Sequence, residues 1–177
     1  LAVGDVLVTN DPWLGAGHVF DFVVVTPVFL EGGIVGYLAS TSHIVDVGGR
    51  GWSAEGQSVF EEGVTIPVMH LRRGTDINED LLRIVATNSR VPHEARGDIL
   101  SLLTCNDAGA RRLLDLMREY RLSDLSGLSD FIFERSREGT RAALARAPQG
   151  VFQSEMTLDG YDTPILLSAK MVIGDGH

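Results

Sequence analysis

The sequence contains very little cysteine. Cys105 is the single cysteine among 177 residues, so the chain cannot form an internal disulfide. Disulfides are characteristic of secreted proteins and rare in the reducing cytoplasm. With 44% hydrophobic residues, a chain of this length is long enough to bury a core of its own. We therefore expect a cytoplasmic globular protein.

Positive charge is also scarce. Fifteen Lys and Arg residues stand against 24 Asp and Glu residues, which gives a net charge of −9. The basic residues do not gather into a dense stripe, which a protein needs if it is to follow a phosphate backbone. We therefore expect no nucleic-acid partner.

Long apolar runs and nucleotide-binding glycine motifs are missing. No apolar stretch approaches the roughly 20 residues of a membrane-spanning helix, and no signal peptide is evident, so we expect no membrane partner. Neither a Gly-x-Gly-x-x-Gly motif nor a P-loop occurs. The chain is therefore not expected to bind ATP itself.

What is present divides into three zones. Residues 1–71 are β-rich, residues 76–147 carry apolar residues at helical spacing, and residues 150–175 return to strand-like sequence. Because strands and helices are grouped and do not alternate, an α+β fold is favoured over a doubly wound parallel sheet. We expect residues 1–177 to form a single piece of one domain.

Each zone yields specific elements. Strands are predicted over residues 5–9, 22–30, 34–42, 65–70, 151–158 and 165–173. One helix is expected to begin after a cap at Asp76 or Asn78 and to end before Pro92, and a long amphipathic helix follows it. A third helix, capped by Ser123 or Ser129, would turn Phe131 and its neighbours inward.

The most informative chemical feature is the trio His18, Asp21 and His43. If Glu31-Gly32-Gly33 is a three-residue hairpin loop, Leu30 faces Ile34, and counting back along both strands places Asp21 opposite His43. Their Cβ atoms would then lie about 4.5–5.5 Å apart. His18, three residues upstream on a glycine-rich turn, could fold back to the same point. Two imidazoles and a carboxylate would suit a divalent ion such as Zn, Mn or Fe.

That register has an alternative. A two-residue Gly32-Gly33 turn would place Ile44 opposite Asp21 and move His43 to the other face of the sheet. Each residue of the trio also has an ordinary interpretation, as a solvated hydrogen-bonding group or a turn cap.

Further carboxylates lie near the same strand ends. Asp11 is a candidate metal ligand, although an Asx-turn before Pro12 is the simpler explanation of this residue. Asp46 is a candidate catalytic group, ligand or hydrogen-bond acceptor for an imidazole. Glu62, and its neighbour Glu61, are candidates for a general base, an extra ligand or a solvated carboxylate. The glycine-rich loop 48–53 could cover the site or simply connect two elements.

Several longer motifs resemble the B-type subunits of the hydantoinase/oxoprolinase family. That family includes the hydantoinase B component of N-methylhydantoinase, the C-terminal part of 5-oxoprolinase, and the catalytic subunits of acetone and acetophenone carboxylases. The resemblance covers most of the chain and rests on these segments: Thr9-Asn10-Asp11-Pro12-Trp13-x-Gly15-x-Gly17-His18-x-x-Asp21; Ser42-His43-x-x-Asp46-Val47-Gly48-Gly49; Phe60-Glu61-Glu62-Gly63-Val64-Thr65-Ile66-Pro67; Asn88-Ser89-Arg90-Val91-Pro92-x-Glu94-x-Arg96-Gly97-Asp98; Pro148-Gln149-Gly150-Val151-Phe152; and Leu158-Asp159-Gly160.

The resemblance implies a division of labour between two subunits. An A-type partner subunit would use ATP to phosphorylate a cyclic amide or the enol oxygen of a ketone. The B-type subunit would then complete hydrolysis or carboxylation at a metal site. In the carboxylase relatives the metal is held by residues that match His18, Asp21 and His43, and the expected assembly is a hetero-oligomer.

The sequence also departs from the family pattern. Many hydantoinase-type members have His-His-x-Asp where this chain has His43-Ile44-Val45-Asp46, so Ile44 replaces a second imidazole. This difference favours a similarity to the carboxylase-like members of the family. The chain begins at Leu1 and runs into a strand within a few residues, from which we expect a fragment of a larger subunit.

Two functions are therefore in competition. The first is a metal-dependent catalytic B-type subunit that uses His18, Asp21 and His43, with Asp11 as a further ligand and Asp46 and Glu62 as catalytic carboxylates. The second is a non-catalytic assembly module whose helices bind the ATPase partner.

Overall fold

A computed structural model describes residues 1–51, 55–160 and 162–174. The fold is α+β, as the grouping of strands and helices predicts. In chain order the elements are β1 (Val6–Thr9), β2 (Asp21–Leu30), β3 (Gly33–His43), a short 3₁₀ turn (Val59–Glu61), β4 (Met69–Arg73), β5 (Asp76–Ile77), α1 (Glu79–Asn88), α2 (Pro92–Glu119), α3 (Ser126–Arg146), β6 (Gly150–Leu158) and β7 (Ile165–Ile173).

The chain divides into two compact units, residues 1–125 and 126–177. The prediction that residues 1–177 are a single piece of one domain stays a prediction. The first unit contains a five-stranded antiparallel sheet in the order β3-β2-β1-β4-β5, together with α1 and α2. The second contains α3 and the β6–β7 hairpin.

One face of the five-stranded sheet carries the core. Alternate residues of β2, among them Phe22 and Val24, are fully buried together with apolar residues of α1 and α2. The amide of Asn106 on α2 donates to the backbone oxygens of Val24 and Leu38 at 3.0 and 3.2 Å, which fixes the helix across β2 and β3. Asp21 lies on the other face of β2, because successive side chains of a strand point to opposite faces.

The helix boundaries follow the sequence signals. Asn78 is the N-cap of α1, and its side-chain oxygen accepts a hydrogen bond from the Leu81 N–H at 3.0 Å. The helix ends at Asn88, and Pro92 occupies the first turn of α2, where its missing N–H costs nothing. Both boundaries were predicted. The third helix begins at Ser126, between the two serines proposed as its cap, and Ser129 lies inside it.

Two strand predictions need correction. The strand predicted over residues 65–70 is displaced and runs over Met69–Arg73, because Pro67 lacks an N–H and cannot extend the ladder. The two-residue strand β5 was not predicted. Both strands of the C-terminal hairpin were predicted correctly, and they pair in register from Gly150↔Ile173 to Leu158↔Ile165.

The tip of the first hairpin also differs from the prediction. Leu30 pairs with Gly33, so the turn consists of two residues, Glu31 and Gly32, both with positive φ (50° and 85°). This is the backbone of a type I′ turn, whose twist matches that of the flanking strands. A β-bulge follows at Val35, since Phe29 pairs with Ile34 but Val28 pairs with Gly36. The extra residue restores the predicted register along the rest of the ladder.

Candidate metal centre

Asp21 and His43 face each other at the open end of the β2–β3 ladder. They are the last pair of the register, which confirms the predicted pairing and excludes the one that places Ile44 opposite Asp21. The Asp21 Oδ1 atom lies 3.6 Å from His43 Nδ1. The ladder therefore delivers one imidazole and one carboxylate to the same end of the sheet.

The loop between β1 and β2 brings the second imidazole to the same carboxylate. His18 Nε2 lies 3.4 Å from Asp21 Oδ2, and the two imidazole rings are 5.2 Å apart between centroids. Gly17, with φ of 92°, turns the chain immediately before His18 in a conformation that favours glycine. One donor atom from each of the three side chains lies within 4.8 Å of the other two.

The donor set fits a divalent cation. Zinc binds imidazole nitrogen and carboxylate oxygen at about 2.0–2.2 Å, so two donors of one ion lie at most roughly 4.4 Å apart. Each His–Asp separation falls within that distance, one to each oxygen of Asp21, and a set with one donor atom per side chain spans no more than 4.8 Å. Three mixed nitrogen and oxygen ligands leave coordination positions for a reacting molecule, as catalytic metal sites require.

The two ligand-bearing segments are also joined to each other directly. The Ile44 N–H donates to the Phe20 oxygen at 2.9 Å, which continues the ladder one step beyond the Asp21–His43 pair. The buried ring of Phe20 stacks on the His43 imidazole, with centroids 4.9 Å apart and an interplanar angle of 18°. The orientation of His43 is thus restricted by an aromatic neighbour from the opposite segment.

Glu62 contacts the backbone beside His18. Its Oε2 atom accepts a hydrogen bond from the Val19 N–H at 3.1 Å. The structure therefore brings this candidate base to the residue that follows the first imidazole. Its neighbour Glu61 points elsewhere and forms an ion pair with Arg50 at 2.7 Å.

Asp46 is buried and strongly hydrogen-bonded. Its carboxylate accepts from the Arg90 side chain and backbone N–H, the Ser89 hydroxyl and the Gly48 N–H. The Arg90 guanidinium, which bonds it directly, holds the pKa of the Asp46 carboxyl well below its usual range. These contacts join the segment after His43 to the junction between α1 and α2.

The same segment is held at two further points. The Val45 N–H donates to Asp98 Oδ2 on α2 at 2.9 Å. At Gly48, with φ of 85°, an added Cβ would lie 2.6 Å from the Asn88 oxygen, so only glycine fits. The described part of the predicted 48–53 loop is thus packed against the helical junction and residues 61–63, while Trp52 and Ser53 lie outside the described residues.

The remaining candidates lie apart from the trio. Asp11 Oδ1 accepts from the Trp13 N–H at 3.0 Å, which is the Asx-turn proposed as the alternative to metal binding. Among the described residues, the one group of three or more potential metal ligands is His18, Asp21 and His43, without Asp11. Ile44 is fully buried in the core, on the opposite side of the strand from His43, so its replacement of a histidine changes core packing.

Asn10, which lies in the first of the family-like motifs, has a role that the sequence did not predict. Its buried side chain donates to the Val19 and Val64 oxygens at 2.6 and 2.9 Å and accepts from the Ile66 N–H at 2.6 Å. The available signal was an amide directly after a buried strand, where a polar side chain needs backbone partners. Asp98 was missed as well, because its partner is 53 residues away.

Comparison with known proteins gives one family. The family described as Hydantoinase B/oxoprolinase matches residues 1–176. The beta subunit of the caprolactamase of Pseudomonas jessenii is 26% identical over 162 residues, which cover 90% of this chain and 28% of that relative.

Two solved structures share the fold. The crystal structure of the ATP-dependent caprolactamase from Pseudomonas jessenii matches with a TM-score of 0.89 and 25% identity, over 99% of this chain and 31% of that one. The nucleotide-free acetone carboxylase matches with a TM-score of 0.78 and 19% identity, over 97% of this chain and 25% of that one. This chain spans about a quarter to a third of the length of these three proteins.

Proposed function

The chain belongs to the hydantoinase B/oxoprolinase family, and on that basis we propose that it is part of the metal-dependent catalytic B-type subunit of an ATP-dependent hydantoinase, oxoprolinase or ketone carboxylase system. The observation that carries the proposal is the convergence of His18, Asp21 and His43, whose donor atoms lie within 4.8 Å of one another. The similar proteins include a caprolactamase and an acetone carboxylase, whose names correspond to the two proposed reaction types, hydrolysis and carboxylation.

His18, Asp21 and His43 would hold a divalent ion of the Zn, Mn or Fe type. Such an ion, when bound, polarises a carbonyl or phosphoryl oxygen and makes a bound water more acidic. Asp21 separates the two imidazoles and presents one carboxylate oxygen to each. The strand pairing fixes Asp21 relative to His43, and the loop that leads into β2 brings His18 to the same carboxylate.

Glu62 is proposed as the proton acceptor. One carboxylate oxygen is anchored by the Val19 N–H, which fixes the group close to the His18 segment. A general base must lie within hydrogen-bond reach of the proton that it removes. For Asp46, whose two oxygens are engaged by Arg90, Ser89 and Gly48, the contacts support a role in positioning the segment after His43.

The substrate and partner follow from the family. The proposed substrate is a cyclic amide or a ketone, activated by phosphorylation in an A-type subunit that uses ATP. The caprolactamase and hydantoinase relatives are named as subunits of larger enzymes, which supports a hetero-oligomer. No helix in the described parts of the chain has the length and apolar character that crossing a membrane requires.

Metal analysis of the purified full-length subunit tests the proposal. We expect one divalent ion per chain, lost in both His18→Ala and Asp21→Ala. The matched control is His70→Ala. His70 lies on β4, and its Nε2 atom is 3.6 Å from Asp5 Oδ2, a separation similar to those at the candidate metal centre. This variant should retain the ion. Retention of the ion by all three variants, or a metal-free parent protein, would contradict the proposal.

The alternative, an assembly module that binds the ATPase partner, is favoured by a different observation. None of the described residues of α3, β6 and β7 is buried, although these elements carry many large apolar side chains. A multi-subunit complex that forms normally but contains no ion would support this alternative. An ATP-dependent assay of the reconstituted complex with hydantoins, 5-oxoproline, lactams and small ketones would then show no turnover.

A further inference from the structure

The loop that carries His18 is held at its two ends. In its first half, the Leu14 and Gly15 N–H groups both donate to the Asp11 oxygen at 3.0 Å. Beyond Gly17, which turns the chain, Val19 has both of its backbone polar groups engaged, its N–H by Glu62 and its oxygen by Asn10. The position of His18 therefore depends on how firmly Val19 is held.

Asn10 joins that anchor to the segment that carries Glu62. One amide group donates to Val19 at one end of the loop and to Val64 two residues after Glu62, and it accepts from the Ile66 N–H. Its own N–H donates to the Ile66 oxygen at 3.2 Å. With 1% of its surface exposed, Asn10 is shielded from bulk solvent.

We propose that Asn10 is the positioning residue of the candidate metal centre. By donating to the Val19 and Val64 oxygens at the same time, Asn10 sets the distance between the His18 imidazole and the Glu62 carboxylate. This inference rests on the proposed function, since it concerns the placement of a proposed ligand. Asn10 binds neither the ion nor the substrate. Groups that orient metal ligands indirectly commonly change metal affinity by about 10- to 100-fold when they are replaced.

A matched pair of variants separates positioning from general stability. Among the residues that the structure describes, Asn106 is the other buried asparagine, with 3% of its surface exposed. Its amide also donates to two backbone oxygens, of Val24 and Leu38. Asn10→Asp and Asn106→Asp make the same isosteric change, and each places a carboxylate oxygen against carbonyl oxygens. Both should lower the thermal midpoint, but only the first disturbs the His18 loop.

The probe is Co²⁺, added to the metal-free full-length subunit and followed by its visible absorption, which reports coordination geometry. We expect Asn10→Asp to weaken Co²⁺ binding by at least about tenfold and to change the spectrum, while Asn106→Asp stays within about twofold of the parent. All titrations are run well below the thermal midpoint of each variant. If Asn10→Asp does not fold, Asn10→Ser, whose short side chain cannot reach both oxygens, takes its place with the same expected loss.

Each of the other possible outcomes overturns either this inference or the proposed function on which it rests. Parent-like Co²⁺ affinity and spectrum in the Asn10 variants would overturn the inference, as would an equal loss in Asn106→Asp, which would show a general loosening of the fold. Both results leave the proposed function intact, because the parent binds the ion. A parent protein that does not bind Co²⁺ overturns the proposed function and removes the basis of this inference with it.

Discussion

Residues 1–125 and 126–177 both carry large apolar side chains, but only the first unit buries them in a core. In the first unit, apolar residues of the sheet and of α1 and α2 meet in one core, and Phe22 is fully buried. In the second, no described residue is buried, and Phe131 on α3 keeps 62% of its surface exposed. Spacing of apolar residues indicates which face of an element seeks burial, but it does not say what covers that face.

The β6–β7 hairpin is an example of apolar residues that are left exposed. Its register places Phe152 with Met171, Met156 with Leu167 and Leu158 with Ile165 on one face, while Gln153 and Glu155 lie on the other. The second face is mixed, since it also carries Val151 paired with Val172 and Thr157 paired with Leu166. Large apolar side chains of both faces are exposed. The pattern is evidence that the hairpin is built to pack against something.

The largest expected effect tests the core of the first unit. Phe22→Ala should lower the free energy of unfolding of the 177-residue chain by about 3–5 kcal/mol, because it removes a fully buried ring and leaves a cavity. Urea denaturation, with the midpoint and slope fitted together, measures it. A loss of unfolding free energy below about 1 kcal/mol would mean that the Phe22 ring is not tightly packed in the core.

A smaller effect is expected at the buried carboxylate. Asp46→Asn should cost about 2–3 kcal/mol, since it removes charged hydrogen bonds from Arg90 and Ser89. The folded-state pKa of Asp46 is depressed, so its contribution is present above about pH 4 and is lost as the pH falls further. The stability difference between parent and variant should therefore narrow on acidification.

The matched control for Asp46 lies in the second unit. Glu138 pairs with Arg135 at 2.9 Å on the surface of α3, where both side chains are exposed. Glu138→Gln should change stability by less than about 0.5 kcal/mol at any pH. The distinction between the buried and exposed carboxylates would fail in either of two cases. The first is that the loss of stability in Asp46→Asn does not change with pH, and the second is that Glu138→Gln loses as much stability as Asp46→Asn.

An equally small effect is expected at an exposed aromatic ring of the second unit. Phe131→Ala in α3 should change the free energy of unfolding by about 0.5 kcal/mol or less, because its ring is exposed. The same chemical change therefore costs several-fold less here than at Phe22. A loss above about 1.5 kcal/mol in the 177-residue chain would show that α3 is covered, and the contrast between the units would fail.

The sequence was sufficient for five of the six predicted strands and for the cap of α1. The predicted pairing of Asp21 with His43 is also correct, but only because the bulge at Val35 offsets an error in the predicted turn. Period-two alternation and cap residues are local signals, and a register can be counted from a turn. The turn itself was predicted wrongly, because two glycines follow Glu31 and the sequence does not say which residues take positive φ. The inward face predicted for Phe131 also failed, since a helix pattern contains no information about its neighbours.

The surroundings of the candidate centre were the least predictable part. Asn10, Glu62 and Asp98 act on backbone groups 9, 43 and 53 residues away, and no short-range pattern records such contacts. Arg90 likewise forms an ion pair with the buried Asp46, 44 residues away along the chain. Side chains that bond distant backbone become recognisable only once the fold has brought the segments together.

The bulge at Val35 has a consequence for how this hairpin tolerates changes in length. Removing Val35 would leave Val28 opposite Gly36 and every later pair unchanged, so the hairpin tip can lose this residue without disturbing Asp21 and His43. Removing any one residue between Gly36 and Ser42 would instead bring Ile44 opposite Asp21 and turn the imidazole to the other face of the strand. Insertions and deletions are thus expected to be accepted at the tip of the hairpin and rejected in the stretch that leads to His43.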